Sequence, residues 1–206
     1  MLDTTSVASR PKRPDDVLNA LAVLGRKRCS WGSTPPDGDC AIHAALADPV
    51  LTGTSYPKTD VSEVREAVVN LLRTNTYLRQ YLQFSIANQG ELMKVANQSA
   101  QLHPFIKSQT VENAADLFSP DSGCWFTSDA IFALTVYLEK NIVIVDDTDG
   151  SCQVYYQREP SKGGAFIIKL LSLSELQSTP SKVVDALRSC IVIVYDGSSH
   201  FYKTTL

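Results

Sequence analysis

The sequence predicts an α/β domain, α+β in arrangement, with a small and mostly antiparallel sheet flanked by helices. Three observations carry this prediction. Apolar residues recur at helical spacing between 61 and 90 and again between 128 and 140. Two runs of consecutive β-branched residues, Ile142-Val143-Ile144-Val145 and Ile191-Val192-Ile193-Val194, read as strands buried on both faces. Each run ends in turn chemistry, at Asp146 to Gly150 and at Asp196-Gly197.

Composition sets the bounds. The chain has 206 residues, 44% hydrophobic and 20% charged, which suits one soluble domain with ample core. A net charge of −3 argues against nucleic-acid binding of the general electrostatic kind. Arg10, Lys12, Arg13, Arg26, Lys27 and Arg28 nevertheless crowd into the first 28 positions, as a solvated arm or as a signal for targeting or for an acidic partner. Residues 1–13 are expected to be a flexible basic arm, leaving 14–206 as one domain. The five cysteines include no Cys-x-x-Cys pair. Cys124 and Cys190 adjoin Trp125 and Ile191, and Cys29 and Cys152 lie two residues from Trp31 and Val154, a setting that suits buried reduced thiols. Neither a disulfide framework nor a zinc site is expected, and no cofactor. Without an apolar leader or a membrane-length run, a reducing, cytoplasmic setting away from membranes is the expectation.

In chain order, Asp15 or Asp16 caps a short helix carrying Val17, Leu18, Leu21, Ala22 and Leu24, and Gly25 stops it. Residues 26–36 form an extended approach to a loop. A short helix over 41–46 follows, which Pro49 is expected to end. Asp60 with Glu63 begins an amphipathic helix over 61–74. Helical pieces are expected at 74–90, 91–101 and 108–118. After the loop 119–126, Thr127 or Ser128 caps a helix running to 140. Strands follow at 141–145, 151–157, 165–171, 190–195 and 200–204, with a helical turn around 183–187.

One stretch stands apart: Pro35-Pro36-Asp37-Gly38-Asp39-Cys40-Ala41-Ile42-His43-Ala44. Two prolines and Asp-Gly make a rigid polar turn that passes directly into a helix, with a thiol at the junction. There the unpaired helix amides are expected to lower the thiol's pKa and favour nucleophilic thiolate. The Gly38, Asp39 and Cys40 amides lie where an oxyanion would need donors. A loop with a buried structural cysteine is the other reading of the same residues.

Three histidines could serve Cys40 as base. His103 precedes a proline at a helix end and reads as a surface residue. His43 lies one turn beyond Cys40, on the same helix. His200 reaches Cys40 only through tertiary folding, which is how cysteine hydrolases ordinarily assemble their partners.

Asp37-Gly38-Asp39-Cys40, followed by an apolar pair, His43 and Ala44, resembles the nucleophile motif of the ovarian tumour (OTU) family of cysteine proteases, which are mostly deubiquitinases. The loop led by Trp125, with the helix and Ile/Val strand to 145, resembles that family's middle. The strand ending at Tyr195, a short turn, then His200 and an aromatic resemble its close. The resemblance implies a papain-like OTU fold, Cys40 as nucleophile, His200 as general base, and Asp37 holding an oxyanion loop of Gly38, Asp39 and Cys40. It implies hydrolysis of the isopeptide bond after the C-terminal Gly-Gly of ubiquitin, polyubiquitin or a ubiquitin-like modifier, by a monomer. Low similarity to the family's familiar eukaryotic members outside these motifs points to a bacterial effector or viral protease acting in a host cytosol. Trp125 is either a core anchor or, with Tyr202, a wall of the channel for the two glycines. The sequence departs from the family at Tyr202, where many members place the Asp or Asn that orients the imidazole. Asp15 or Asp16 could supply that acid, whereas Asp196 reads as a turn residue; otherwise a Cys–His dyad works alone. The alternatives are a weak or inactive ubiquitin-binding module, or a different cysteine hydrolase.

Overall fold

The computed structural model describes residues 14–52, 60–88, 110–157, 166–198 and 200–206. The expected basic arm at 1–13, the helix at 91–101 and His103 lie outside them.

The helices are α1 (Pro14–Val23), α2 (Cys40–Leu46), α3 (Pro49–Thr52), α4 (Val61–Thr74), α5 (Thr76–Asn88), α6 (Val111–Asp116), α7 (Ser128–Tyr137), α8 (Leu173–Gln177) and α9 (Ser181–Arg188). The strands are β1 (Lys27–Arg28), β2 (Ile142–Asp146), β3 (Cys152–Gln157), β4 (Phe166–Leu171), β5 (Ile191–Tyr195) and β6 (Phe201–Thr205). They form one six-stranded sheet in the order β1-β6-β5-β2-β3-β4. Among the described strands only β2 and β5 pair in parallel, from Ile142 against Ile191 to Asp146 against Tyr195. The expected α/β architecture, with a small and mostly antiparallel sheet, is the observed one.

The two β-branched runs are central strands because both of their faces are covered. Ile142, Ile144, Ile191 and Ile193 enter one core with α2, α4, α5, α6 and α7. Val143, Val145, Val192 and Val194 enter the opposite core with α1, α8 and α9. Alternation along each strand thus feeds two cores, and no polar position is left to mark a solvent face.

Two local details go beyond the expectations. The helix ends at Leu46, before Pro49, and Pro49 itself opens α3, because proline's fixed φ and missing N–H suit a first helical position. The stretch 26–36 is not simply extended. Lys27 and Arg28 pair with β6, and Trp31–Ser33 winds into a 3-10 turn. That turn brings Trp31 and Thr34 to the end of β6. Arg26 and Asp48, both buried, pair at 3.3 Å, and Asp48 also accepts the Val192 amide at 2.9 Å. The segment after α2 is thereby tied to β5. Among the described residues no helix is long and apolar enough to cross a membrane.

Candidate active site

Cys40 is the first residue of α2 and is 1% exposed. Its Sγ accepts the Phe201 backbone N–H at 3.4 Å, so the thiol faces the start of β6. The expectation of a lowered thiol pKa is corrected. Burial pushes the Cys40 thiol up, the Phe201 and Ala41 amides pull it part of the way back, and the charges of Asp37 and Asp196 push it up again. Magnitudes explain the outcome: a helix terminus contributes about 0.3–1 kcal/mol, less than one pKa unit, whereas full burial shifts a group by several units.

His200 immediately precedes β6 and is 2% exposed. Asp196 holds its backbone from both sides. The carboxylate accepts the His200 N–H at 3.0 Å, and the Asp196 N–H donates to the His200 carbonyl at 3.0 Å. The imidazole Nε2 lies 2.9 Å from the Trp31 carbonyl and 3.1 Å from Thr34 Oγ1. The Thr34 hydroxyl spends its hydrogen on the Phe201 carbonyl at 2.5 Å, which turns a lone pair toward the ring. A carbonyl only accepts, so Nε2 carries the hydrogen in this arrangement. Nδ1 is buried and has no hydrogen-bond partner among the described residues. The nitrogen with the free lone pair is therefore Nδ1.

The loop before Cys40 is anchored by Arg65, a residue of α4 that is 1% exposed. Its Nη2 donates to the Gly38 carbonyl at 2.8 Å and the Cys124 carbonyl at 2.9 Å, and its Nη1 to the Phe118 carbonyl at 3.2 Å. Nε pairs with the Asp39 carboxylate. The guanidinium also lies over the Phe126 ring, 5.2 Å from its centroid. One planar fork thus joins the nucleophile loop to the loop carrying Trp125. Gly38 is required at this junction, since a Cβ there would fall 2.7 Å from the Gly123 carbonyl oxygen.

Of the three amides expected to receive an oxyanion, those of Asp39 and Cys40 are engaged within the loop. Asp39 N–H donates to Asp37 Oδ1 at 2.9 Å, and Cys40 N–H to the Asp37 carbonyl at 3.3 Å. Asp37 is exposed and binds its own loop, and it makes no bond to the imidazole. His43 is half-buried, with a ring nitrogen and the Asp37 and Asp39 carboxylate oxygens all within 4.8 Å of one another.

Tyr202 is corrected outright as a channel wall. It is completely buried, and its hydroxyl accepts the Arg28 Nε–H at 3.1 Å beside Asp147. Asp15 and Asp16 are corrected as well. Asp16's backbone abuts Gly150, and among the described residues no carboxylate hydrogen-bonds the His200 ring. Trp125 is half-buried. The structure brings Cys40, the Asp37–Asp39 loop, His200 and Asp196 together and leaves Tyr202, Asp15 and Asp16 out.

Sequence reasoning missed Trp31, Thr34 and Arg65. A signal existed for Arg65, which falls on the apolar stripe of Val61, Val64, Val68 and Leu72 at helical spacing. A cation in such a stripe calls for buried acceptors. Trp31 and Thr34 carry no comparable signal, because only the fold places them against the imidazole.

No family model matches the chain, and no curated protein does. Among solved structures, the chain is similar to an OTU deubiquitinase from Wolbachia pipientis wMel. The TM-score is 0.52 and the sequence identity 14%, over 84% of this chain and 85% of that one. The likeness establishes an OTU-like fold.

Proposed function

We propose that this OTU-like domain, over residues 14–206, is a thiol hydrolase that cleaves the isopeptide bond after the C-terminal Gly-Gly of ubiquitin, polyubiquitin or a ubiquitin-like modifier. The observation that carries the reading is the meeting of Cys40 Sγ with the Phe201 amide beside a His200 whose Nδ1 is free. Cys40 attacks the glycine carbonyl carbon while Nδ1 takes the thiol proton. Collapse of the tetrahedral intermediate expels the lysine amine, which receives that proton from His200. Water, deprotonated by the same nitrogen, then cleaves the thioester. A thiol held protonated by burial needs such a base, because too little thiolate exists without it.

Asp37 holds the loop, and the Gly38, Asp39 and Cys40 amides serve the oxyanion once Asp37 releases those it engages. Trp125, on the loop that Arg65 ties to Gly38, is the remaining candidate for the glycine channel. The partner is ubiquitin or its chains, the enzyme acts as a monomer, and five free cysteines suit a reducing cytoplasm. The Wolbachia protein, named a deubiquitinase, supports the substrate class by likeness of fold.

A second reading, an inactive ubiquitin-binding module, is favoured by the burial of Cys40 and the engaged Asp39 and Cys40 amides. A ubiquitin probe bearing a C-terminal electrophile separates the two. The hydrolase forms an adduct that is lost in Cys40→Ala and His200→Ala and kept in His43→Ala. Binding without an adduct would establish the module instead.

A further inference from the structure

We infer that a neutral pair, the Trp31 carbonyl and the Thr34 hydroxyl, orients His200 in place of a carboxylate, with Asp196 fixing Trp31 from behind. This rests on His200 acting as the base proposed above. Position 202, where the family resemblance would place an orienting acid, holds Tyr202, which cannot serve. The Tyr202 ring lies 6.5 Å from the imidazole, centroid to centroid, and its hydroxyl points at Arg28. What meets Nε2 is the carbonyl at 2.9 Å and the hydroxyl at 3.1 Å, the latter on a threonine that is itself buried.

Each acceptor is held by a second bond. Thr34 is fixed through its donation to the Phe201 carbonyl, the same residue whose amide meets Cys40 Sγ. Trp31 is fixed at its far end, where the indole N–H donates to Asp196 Oδ2 at 3.2 Å. Its ring also lies on the imidazole, centroids 4.4 Å apart. Asp196 Oδ1 simultaneously holds the His200 backbone amide. The Trp31 ring and the His200 chain are thus held by one carboxylate that makes no hydrogen bond to the imidazole among the described residues, while Thr34 is held separately by Phe201.

An acid partner does two things for a catalytic histidine: it selects the tautomer and it stabilises the imidazolium. The neutral pair does the first by geometry and the second only with dipoles. Thr34 and Trp31 are accordingly positioning residues, and the site works as a Cys–His dyad whose free nitrogen is Nδ1.

The test needs no ubiquitin. In protein labelled with ¹⁵N-histidine, the His200 nitrogens, assigned by their loss in His200→Ala, report the tautomer at mildly alkaline pH. Alkylation of Cys40 by iodoacetamide, followed on its own peptide by mass spectrometry, reports the base. We expect the wild-type His200 hydrogen on Nε2. Thr34→Val should mix the tautomers and slow alkylation roughly tenfold, a fraction of what a general base contributes. Thr34→Ser should restore both, and Trp31→Phe, which removes the indole N–H from Asp196 but keeps the carbonyl, should slow alkylation about threefold by the same effect. Hydrogen on Nδ1 in the wild type would overturn the inference. So would folded Thr34→Val and Trp31→Phe proteins with unchanged spectra and rates. The wild-type spectrum and Trp31→Phe decide the matter even where Thr34→Val does not fold. Absence of a ubiquitin-probe adduct alongside the expected spectra would sink the substrate reading alone.

Discussion

The Phe201 amide donates to Cys40 Sγ across 3.4 Å, so the strand that begins just after His200 also touches the nucleophile. Burial raises the thiol's pKa there, and the thiol stays protonated until a base takes its proton. Alkylation of Cys40 in His200→Ala should therefore rise with pH along a curve whose midpoint exceeds the 9.0 of an ordinary thiol. Mass spectrometry of the Cys40 peptide across a pH series measures it. A midpoint below 9.0 would show that the helix terminus outweighs burial.

Arg65 serves the carbonyls of Gly38, Cys124 and Phe118 together with the Asp39 carboxylate. A lysine retains the charge and loses the planar fork, leaving buried carbonyls without donors. Arg65→Lys should cost about 3 kcal/mol in urea unfolding, the range for breaking a buried, hydrogen-bonded charge. Slower alkylation of Cys40 should accompany it, because the loop loses its anchor.

Gly38 and Gly123 should respond differently to alanine. At Gly38 the new methyl would meet the Gly123 carbonyl oxygen at 2.7 Å and its carbon at 3.0 Å, both of them backbone. Gly38→Ala should cost about 1–3 kcal/mol, as overpacking does, and abolish adduct formation with the probe. At Gly123 nothing lies within 4 Å, and only the left-handed φ of +63° is strained. Gly123→Ala should cost about 1 kcal/mol. Urea midpoints and probe labelling of the two variants, side by side, check both.

Tyr202→Phe removes a hydroxyl that accepts from Arg28 within a buried cluster. About 1 kcal/mol of stability should be lost with it. Cys40 alkylation should stay within about twofold of wild type, since the hydroxyl bonds Arg28 rather than the imidazole or Cys40, and groups without shared partners couple by about 0.3–0.5 kcal/mol. A large fall in alkylation would return Tyr202 to the site.

Alkaline pH should weaken the fold through its buried thiols. Burial pushes Cys152 up to about 12 and Cys190 to about 11, against 9.0 in an unfolded chain. Between those values the unfolded state sheds protons that the folded state keeps. The contribution of each thiol is therefore complete below pH 9.0 and is lost as pH rises toward its folded value. Each should lower stability by at most about 1.4 kcal/mol per pH unit in that window. Urea titrations at neutral and alkaline pH should show a shallower decline in Cys152→Ala than in wild type. Equal slopes would exclude the thiol as the cause.

Periodicity alone determined the helix over 61–74 and the two central strands, because an element buried on a stripe or on both faces writes that burial into its residues. The thiol at a loop-to-helix junction and the histidine at a strand's start were legible for the same local reason. What no local pattern encodes is which distant groups meet. Trp31 and Thr34 reach His200 across more than 160 residues of chain, through a 3-10 turn that forms against β6. Asp15 was a candidate orienter and Tyr202 a candidate channel wall, yet packing sent Tyr202 into the opposite core and placed the helix of Asp15 on that same side. The thiol's pKa followed the same rule. Its place at a helix start was written in the sequence, whereas its depth was set by β6 closing over it, and desolvation outweighed the dipole.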